Sequence, residues 1–142
     1  MTTSQEPHAI AEREICGLVD ALARQISDHV RVRAVTLDLT AAQATALREM
    51  TGPMTMRELA ERMSCEPSNA TFVIDKLEKL GLVERRPHPT DRRAKHLVLT
   101  DEGTALRGRL LELLAQESPL AALTGEQQRA LQKLLEQAVV RP

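Results

Sequence analysis

Between Glu84 and His96 the chain holds Arg85, Arg86, Arg92, Arg93 and Lys95 against two carboxylates, Glu84 and Asp91. That short segment carries +3 in a chain whose formal net charge is -1, so the remainder carries -4. Phosphate contact needs a local field rather than a positive total, and an acidic remainder keeps the molecule dissolved while repelling a polyanion from its other faces. Just upstream, Pro67 opens and Gly81 closes a helix on which Ala70, Val73, Ile74 and Leu77 share one face and predict a core contact. Ser68, Asn69, Thr71, Phe72, Lys76 and Lys79 are left facing outward. Asn can bond adenine, and Thr can meet a thymine methyl or a phosphate. A helix set beside a short, strongly basic two-stranded arm is a shape that grips a grooved polyanion, and duplex DNA is the obvious one.

Each of these groups also has a plainer reading. Charge runs are usually solvated turns, but this one lies at a hairpin tip directly after a recognition-type helix, which favours DNA. Ser68, Asn69 and Thr71 could cap the start of their own helix. Phe72, the only aromatic of the chain, could turn inward to fill a gap between helices, or stay outside and touch a thymine methyl. Asp91 could hold a neighbouring cation or bond its own backbone as a turn-former.

Positioning these residues requires a scaffold, and the sequence outlines one. From Pro7 to about Val35, Ile15, Leu18, Val19, Leu22, Ile26 and Val30 recur at three- and four-residue steps. This predicts an amphipathic helix of unusual length that needs a partner surface. Thr40 with Gln43 fits a capping box opening a helix through Met50, stopped by Gly52-Pro53; Thr55 with Glu58 fits another, opening TMRELAERM. MSCE makes a tight connection to Pro67, and two helices so joined read as a helix-turn-helix. LVERR and AKHLVL, separated by turn residues, read as an antiparallel hairpin. Thr100 caps a helix through about Glu117, Pro119 interrupts, and Thr124 with Gln127 opens a last helix with Leu131, Leu134, Leu135, Ala138 and Val139 on one side.

At 142 residues and 42% hydrophobic content the chain fits one domain with its own core, without a disulfide or metal staple. Two distant cysteines, no apolar run approaching the ~20 residues of a membrane span, and no charged-then-apolar leader predict a cytoplasmic protein without a membrane partner. His8, His29, His88 and His96 lack metal-ligand spacing, so no metal or other cofactor is expected. There is no glycine-rich phosphate loop, nucleophile elbow or paired His-Glu helix motif, and no enzymatic activity is expected.

The run LEKLGLVERRPHPTDRRAKHLVLTDEG resembles the signature of the MarR family of winged-helix regulators: a helix end, a wing with Asp-x-Arg at its tip, and Leu-Thr-x-x-Gly. MTMRELAERM and SNATFVIDKLEKLGLV stand upstream in the order that family shows, so the specific match spans roughly residues 39 to 103. The resemblance implies a single mainly α domain over 1–142 with a two- or three-stranded β wing. Within it, 36–103 would form the winged helix-turn-helix lobe, and 7–35 with 104–140 the dimerisation helices. It implies a homodimer whose shared core takes in Leu18, Leu22, Leu131, Leu134, Leu135 and Val139. Its double-stranded partner would be a pseudo-palindromic operator, with recognition helices 67–80 in major grooves ~34 Å apart. DNA contacts would come from Ser68, Asn69, Thr71, Phe72 and Lys76, and from Arg86, Asp91, Arg92, Arg93 and Lys95 of the wing 84–99. There Arg93 reaches toward the minor groove while Asp91 holds it.

The resemblance further implies a ligand-responsive repressor, with a small-molecule effector, which no residue identifies, bound between the dimer helices and the DNA lobe. Two other readings stay open: a winged-helix protein-interaction module, and a regulator sensing oxidants through Cys16. Cys16 sits between Ile15 and Gly17 with no tyrosine in the chain to activate a thiolate. Cys65, in the turn before the recognition helix, is the other cysteine where oxidation could disturb DNA binding.

Overall fold

The computed structural model describes residues 6–140. It is mainly helical, in the order α1 (Glu6–Val35), α2 (Ala41–Glu49), α3 (Met56–Met63), α4 (Pro67–Lys79), β1 (Val83–Pro87), β2 (Lys95–Leu99), α5 (Asp101–Ala115) and α6 (Gly125–Ala138). Four helix starts, at Thr40, Thr55, Thr100 and Thr124, carry the threonine caps that the sequence predicts. Thr40 and Thr124 form full capping boxes with Gln43 and Gln127. Thr55 accepts from the Glu58 N–H, but the Glu58 carboxylate takes the Thr55 hydroxyl rather than its backbone N–H, so α3 has the cap without the reciprocal bond.

The core gathers around α2 and α4. Leu47, Met50, Met54, Leu59, Ile74, Leu77, Val83, Leu97 and Leu110 are fully buried there, and Val30 and Ala34 from the last turns of α1 pack onto them. The two strands pair antiparallel with Val83 opposite Leu99 and Pro87 opposite Lys95. A third strand is reduced to one residue: Met54 exchanges both backbone hydrogen bonds with Leu97, at 2.7 and 3.2 Å, which ties the middle of β2 to the segment just before α3.

The Leu-Thr-x-x-Gly motif has a local physical cause. The Thr100 hydroxyl donates to the Gly81 carbonyl at 2.6 Å and accepts from the Gly103 N–H at 3.0 Å, so one side chain joins the end of the α4 turn to the start of α5. A Cβ at position 103 would lie 2.0 Å from the Leu82 carbonyl oxygen, so only glycine lets α5 seat there. Gly81 takes the left-handed conformation, φ +77°, that ends α4.

Three cationic or imidazole side chains supply donors or ring nitrogens to carbonyls at the ends of neighbouring helices. Arg107 donates to the carbonyls of Leu47 and Arg48 at the end of α2. Arg33 donates to those of Leu113 and Gln116, and His29 Nε2 lies 2.8 Å from that of Leu114, so α1 grips the end of α5. α5 ends at Ala115, two residues short of the expected Glu117, which stands in the left-handed conformation.

Beyond this core the molecule is open. On the N-terminal half of α1, Ile10, Ile15, Leu18 and Val19 are exposed, Leu18 by 71%. α6 buries none of its residues: Leu134 is 63% exposed, Leu135 and Val139 are also exposed, and Leu131 is half-buried, as is Leu22 of α1. A groove of about 930 Å³ runs along α6 beside Leu120, Leu131, Leu135 and Val139. Among the described residues no helix is long and apolar enough to cross a membrane.

Candidate nucleic-acid interface

α3 stops at Ser64, which adopts the left-handed conformation with φ 54°; the Cys65 N–H returns to the Ala60 carbonyl at 3.0 Å. Three residues therefore separate the two helices of the helix-turn-helix. α4 then begins at Pro67, whose lack of an N–H costs nothing in the first turn. Its N-cap Glu66 makes no side-chain capping bond.

The inner face of α4 is the expected one: Ala70, Val73, Ile74 and Leu77 are buried. On the outer face Ser68 and Asn69 are exposed, and neither side chain makes a hydrogen bond within the described residues, so the capping reading does not describe them. Thr71 is different: half-buried, its hydroxyl donates to the Pro67 carbonyl at 2.9 Å, so its one donor is engaged on its own helix. Phe72 does not fill a gap in the interior. It is 65% exposed, with the Lys76 ammonium 5.4 Å from its ring centroid, because its position on the helix lies opposite the buried stripe.

The hairpin tip is organised by backbone donors converging on side-chain acceptors. His88 Nδ1 accepts from the N–H groups of Thr90 and Asp91 at 3.1 and 3.0 Å, and the His88 and His96 rings pack with centroids 4.3 Å apart. The Asp91 carboxylate accepts from the backbone N–H of Arg93 at 2.9 Å. This is the turn-forming role expected of Asp91; among the described residues no ion pair joins its carboxylate to the Arg93 guanidinium.

The five cations of the hairpin divide into three kinds. Arg85, 31% exposed in its side chain, bonds Asp75 at 2.6 Å and Glu78 at 3.0 Å, clamping β1 to α4. Arg86 pairs with Glu84 two residues away on the same strand, at 3.0 Å. Arg92, Arg93 and Lys95 are exposed and enter no ion pair among the described residues. The role of Arg85 was missed in the sequence, although a signal was present: strand alternation from buried Val83 puts it on the inner side, toward the carboxylates that Asp75 and Glu78 set three residues apart on α4. An open cleft of about 370 Å³ lies between the start of α3, α4 and the hairpin, bordered by Thr55, Thr71, Arg85 and Lys95.

Cys16 is exposed on the open half of α1, and Cys65 is half-buried in the helix-helix turn; both are free thiols. Among the described residues no cluster of three or more His, Cys, Asp or Glu side chains could hold a metal ion.

A family model described as the MarR family matches residues 39–95. The HTH-type transcriptional repressor MdtR of Bacillus subtilis is 32% identical over 117 residues, covering 73% of this chain and 76% of that protein. Among solved structures, a cysteine-to-serine variant of MarR from Escherichia coli complexed with operator DNA is 26% identical, with a TM-score of 0.70, over 89% of this chain and 94% of that one. The MarR family protein Rv2887 of Mycobacterium tuberculosis, in complex with salicylic acid, is 29% identical, with a TM-score of 0.65, over 86% and 93%.

Proposed function

Because the chain belongs to the MarR family, we propose that it is a homodimeric transcriptional repressor that binds a pseudo-palindromic operator and is released by a small-molecule effector. The observation that carries this reading is a set of exposed groups left without partners among the described residues: Arg92, Arg93 and Lys95 at the hairpin tip, and Ser68 and Asn69 on the outer face of α4. Free cations serve phosphates, and free amide and hydroxyl groups serve base edges. The Arg85 clamp makes helix and wing approach DNA as one unit, so that α4 enters the major groove while Arg93 reaches for the flanking minor groove.

Dimerisation is inferred from the exposed apolar faces of α1 and α6, which in a second copy would be self-complementary and bury Leu18, Leu22, Leu131, Leu134, Leu135 and Val139. On this reading residues 36–103 form the DNA-binding lobe and 7–35 with 104–140 the dimerisation region, working in the cytoplasm. The effector belongs between them, and the salicylic acid bound by the Mycobacterium tuberculosis relative makes aromatic acids the first class to try. A ligand there acts by changing the separation of the two recognition helices, which must match successive major grooves ~34 Å apart.

Selection of bound duplexes from a random pool tests the reading. The expected result is an inverted repeat with half-sites one helical turn apart, whose affinity falls steeply with salt. A panel of phenolic acids, drugs and oxidants then screens for release. Failure to enrich any duplex even in dilute buffer overturns the proposal, and binding of another protein without salt dependence would favour an interaction module instead.

A further inference from the structure

Phe72 is the one large apolar side chain on the outer face of α4, and it is 65% exposed. It stands four residues after Ser68, three after Asn69 and four before Lys76, so all four line one stripe of the helix. The Lys76 ammonium, 5.4 Å from the ring centroid, lies within cation-π range at one side and leaves the rest of the ring open. An aromatic ring held out in water amid polar neighbours has no role in the core of this chain.

Resting on the DNA-binding reading above, we propose that Phe72 is a specificity-determining residue that reads the C5-methyl group of a pyrimidine in the major groove. The chemistry is restrictive. Base edges in that groove present hydrogen-bond acceptors, amino donors and a single kind of apolar group, the methyl at C5 of thymine. A phenyl ring offers no hydrogen bond, so the methyl is the feature by which it can tell one base pair from another. Asn69, one turn closer to the helix start, supplies the hydrogen-bonding half of the same readout. The operator half-site therefore contains a thymine at the Phe72 position; 5-methylcytosine carries the same methyl there, and deoxyuridine does not.

The test uses the full chain and its selected operator, with each thymine replaced in turn by deoxyuridine. One thymine per half-site is expected to lose about fourfold in affinity, the worth of one buried methyl-sized group. Phe72→Ala should bring that thymine-to-deoxyuridine ratio to one, and Phe72→Leu, which remains apolar, should retain part of it. Changing the same T·A pair to C·G should weaken binding by the wild-type chain, and methylation of that cytosine at C5 should recover part of the loss. Specific operator binding with a flat deoxyuridine scan overturns the Phe72 assignment alone, as does a ratio unchanged in both variants. Absence of any selected duplex overturns the DNA-binding reading together with it.

Discussion

The winged lobe and the outer helices solve the burial problem in opposite ways. In the lobe, Leu47, Leu59, Ile74, Leu77 and Leu97 are fully enclosed by α2, α3, α4 and the hairpin, and Val30 and Ala34 of α1 complete the packing. On α6 and the first half of α1 the same residue types repeat with the same helical spacing, yet Leu18 and Leu134 remain exposed. Amphipathic periodicity therefore states that a face will be covered, but not by which chain. The lobe's pattern is satisfied within this chain, with help from the end of α1 and from Leu110 of α5; the faces of α6 and the first half of α1 stay open, and in the proposed dimer a second copy covers them.

The contrast is broken most severely by charge on α6. Leu134→Glu combined with Leu135→Glu should leave the helical content of the subunit intact, since α6 contributes no buried residue, while separating the dimer and abolishing operator binding. Sedimentation and operator titration on the same sample check this, and a monomer with wild-type operator affinity would contradict the shared-core reading. Within the lobe, Gly103→Ala should cost about 3 kcal/mol of stability in denaturant titration, because the added carbon meets the Leu82 backbone rather than a side chain that can move. A neutral result would mean that α5 can shift without disturbing the lobe.

Smaller effects sharpen the comparison within the wing. Arg93→Ala should weaken operator binding by about 1 to 3 kcal/mol and lower the salt slope by about one. Arg85→Ala should instead lower stability by about 1 kcal/mol and leave the slope nearly unchanged, because its charge is already neutralised by Asp75 and Glu78. Equal slopes for the two variants would erase the distinction between clamp and contact.

Most of the elements were legible from local signals. Thr40, Thr55, Thr100 and Thr124 each cap a helix within three residues of sequence, and Pro67 and Gly81 bracket α4, since capping and backbone conformation are short-range effects. The candidate site was legible as a set of residue types. It was not legible as a division of labour: which arginine is clamped and which is free depends on Asp75 and Glu78 across the gap between helix and strand. The outward position of Phe72 was legible from the helical period, which sets it opposite the buried stripe of Ala70, Val73, Ile74 and Leu77; the structure removes the alternative that its ring turns inward.

By itself the sequence determined the order of helices and strands, the buried stripe of α4 and the cationic tip of the hairpin, all consequences of spacing along one chain. Tertiary structure decided that Arg85 closes on both Asp75 and Glu78, that Arg33 and Arg107 reach carbonyls at the ends of other helices, and that Gly103 must lack a side chain. Those outcomes depend on distances between segments remote along the chain, which spacing along one element does not encode.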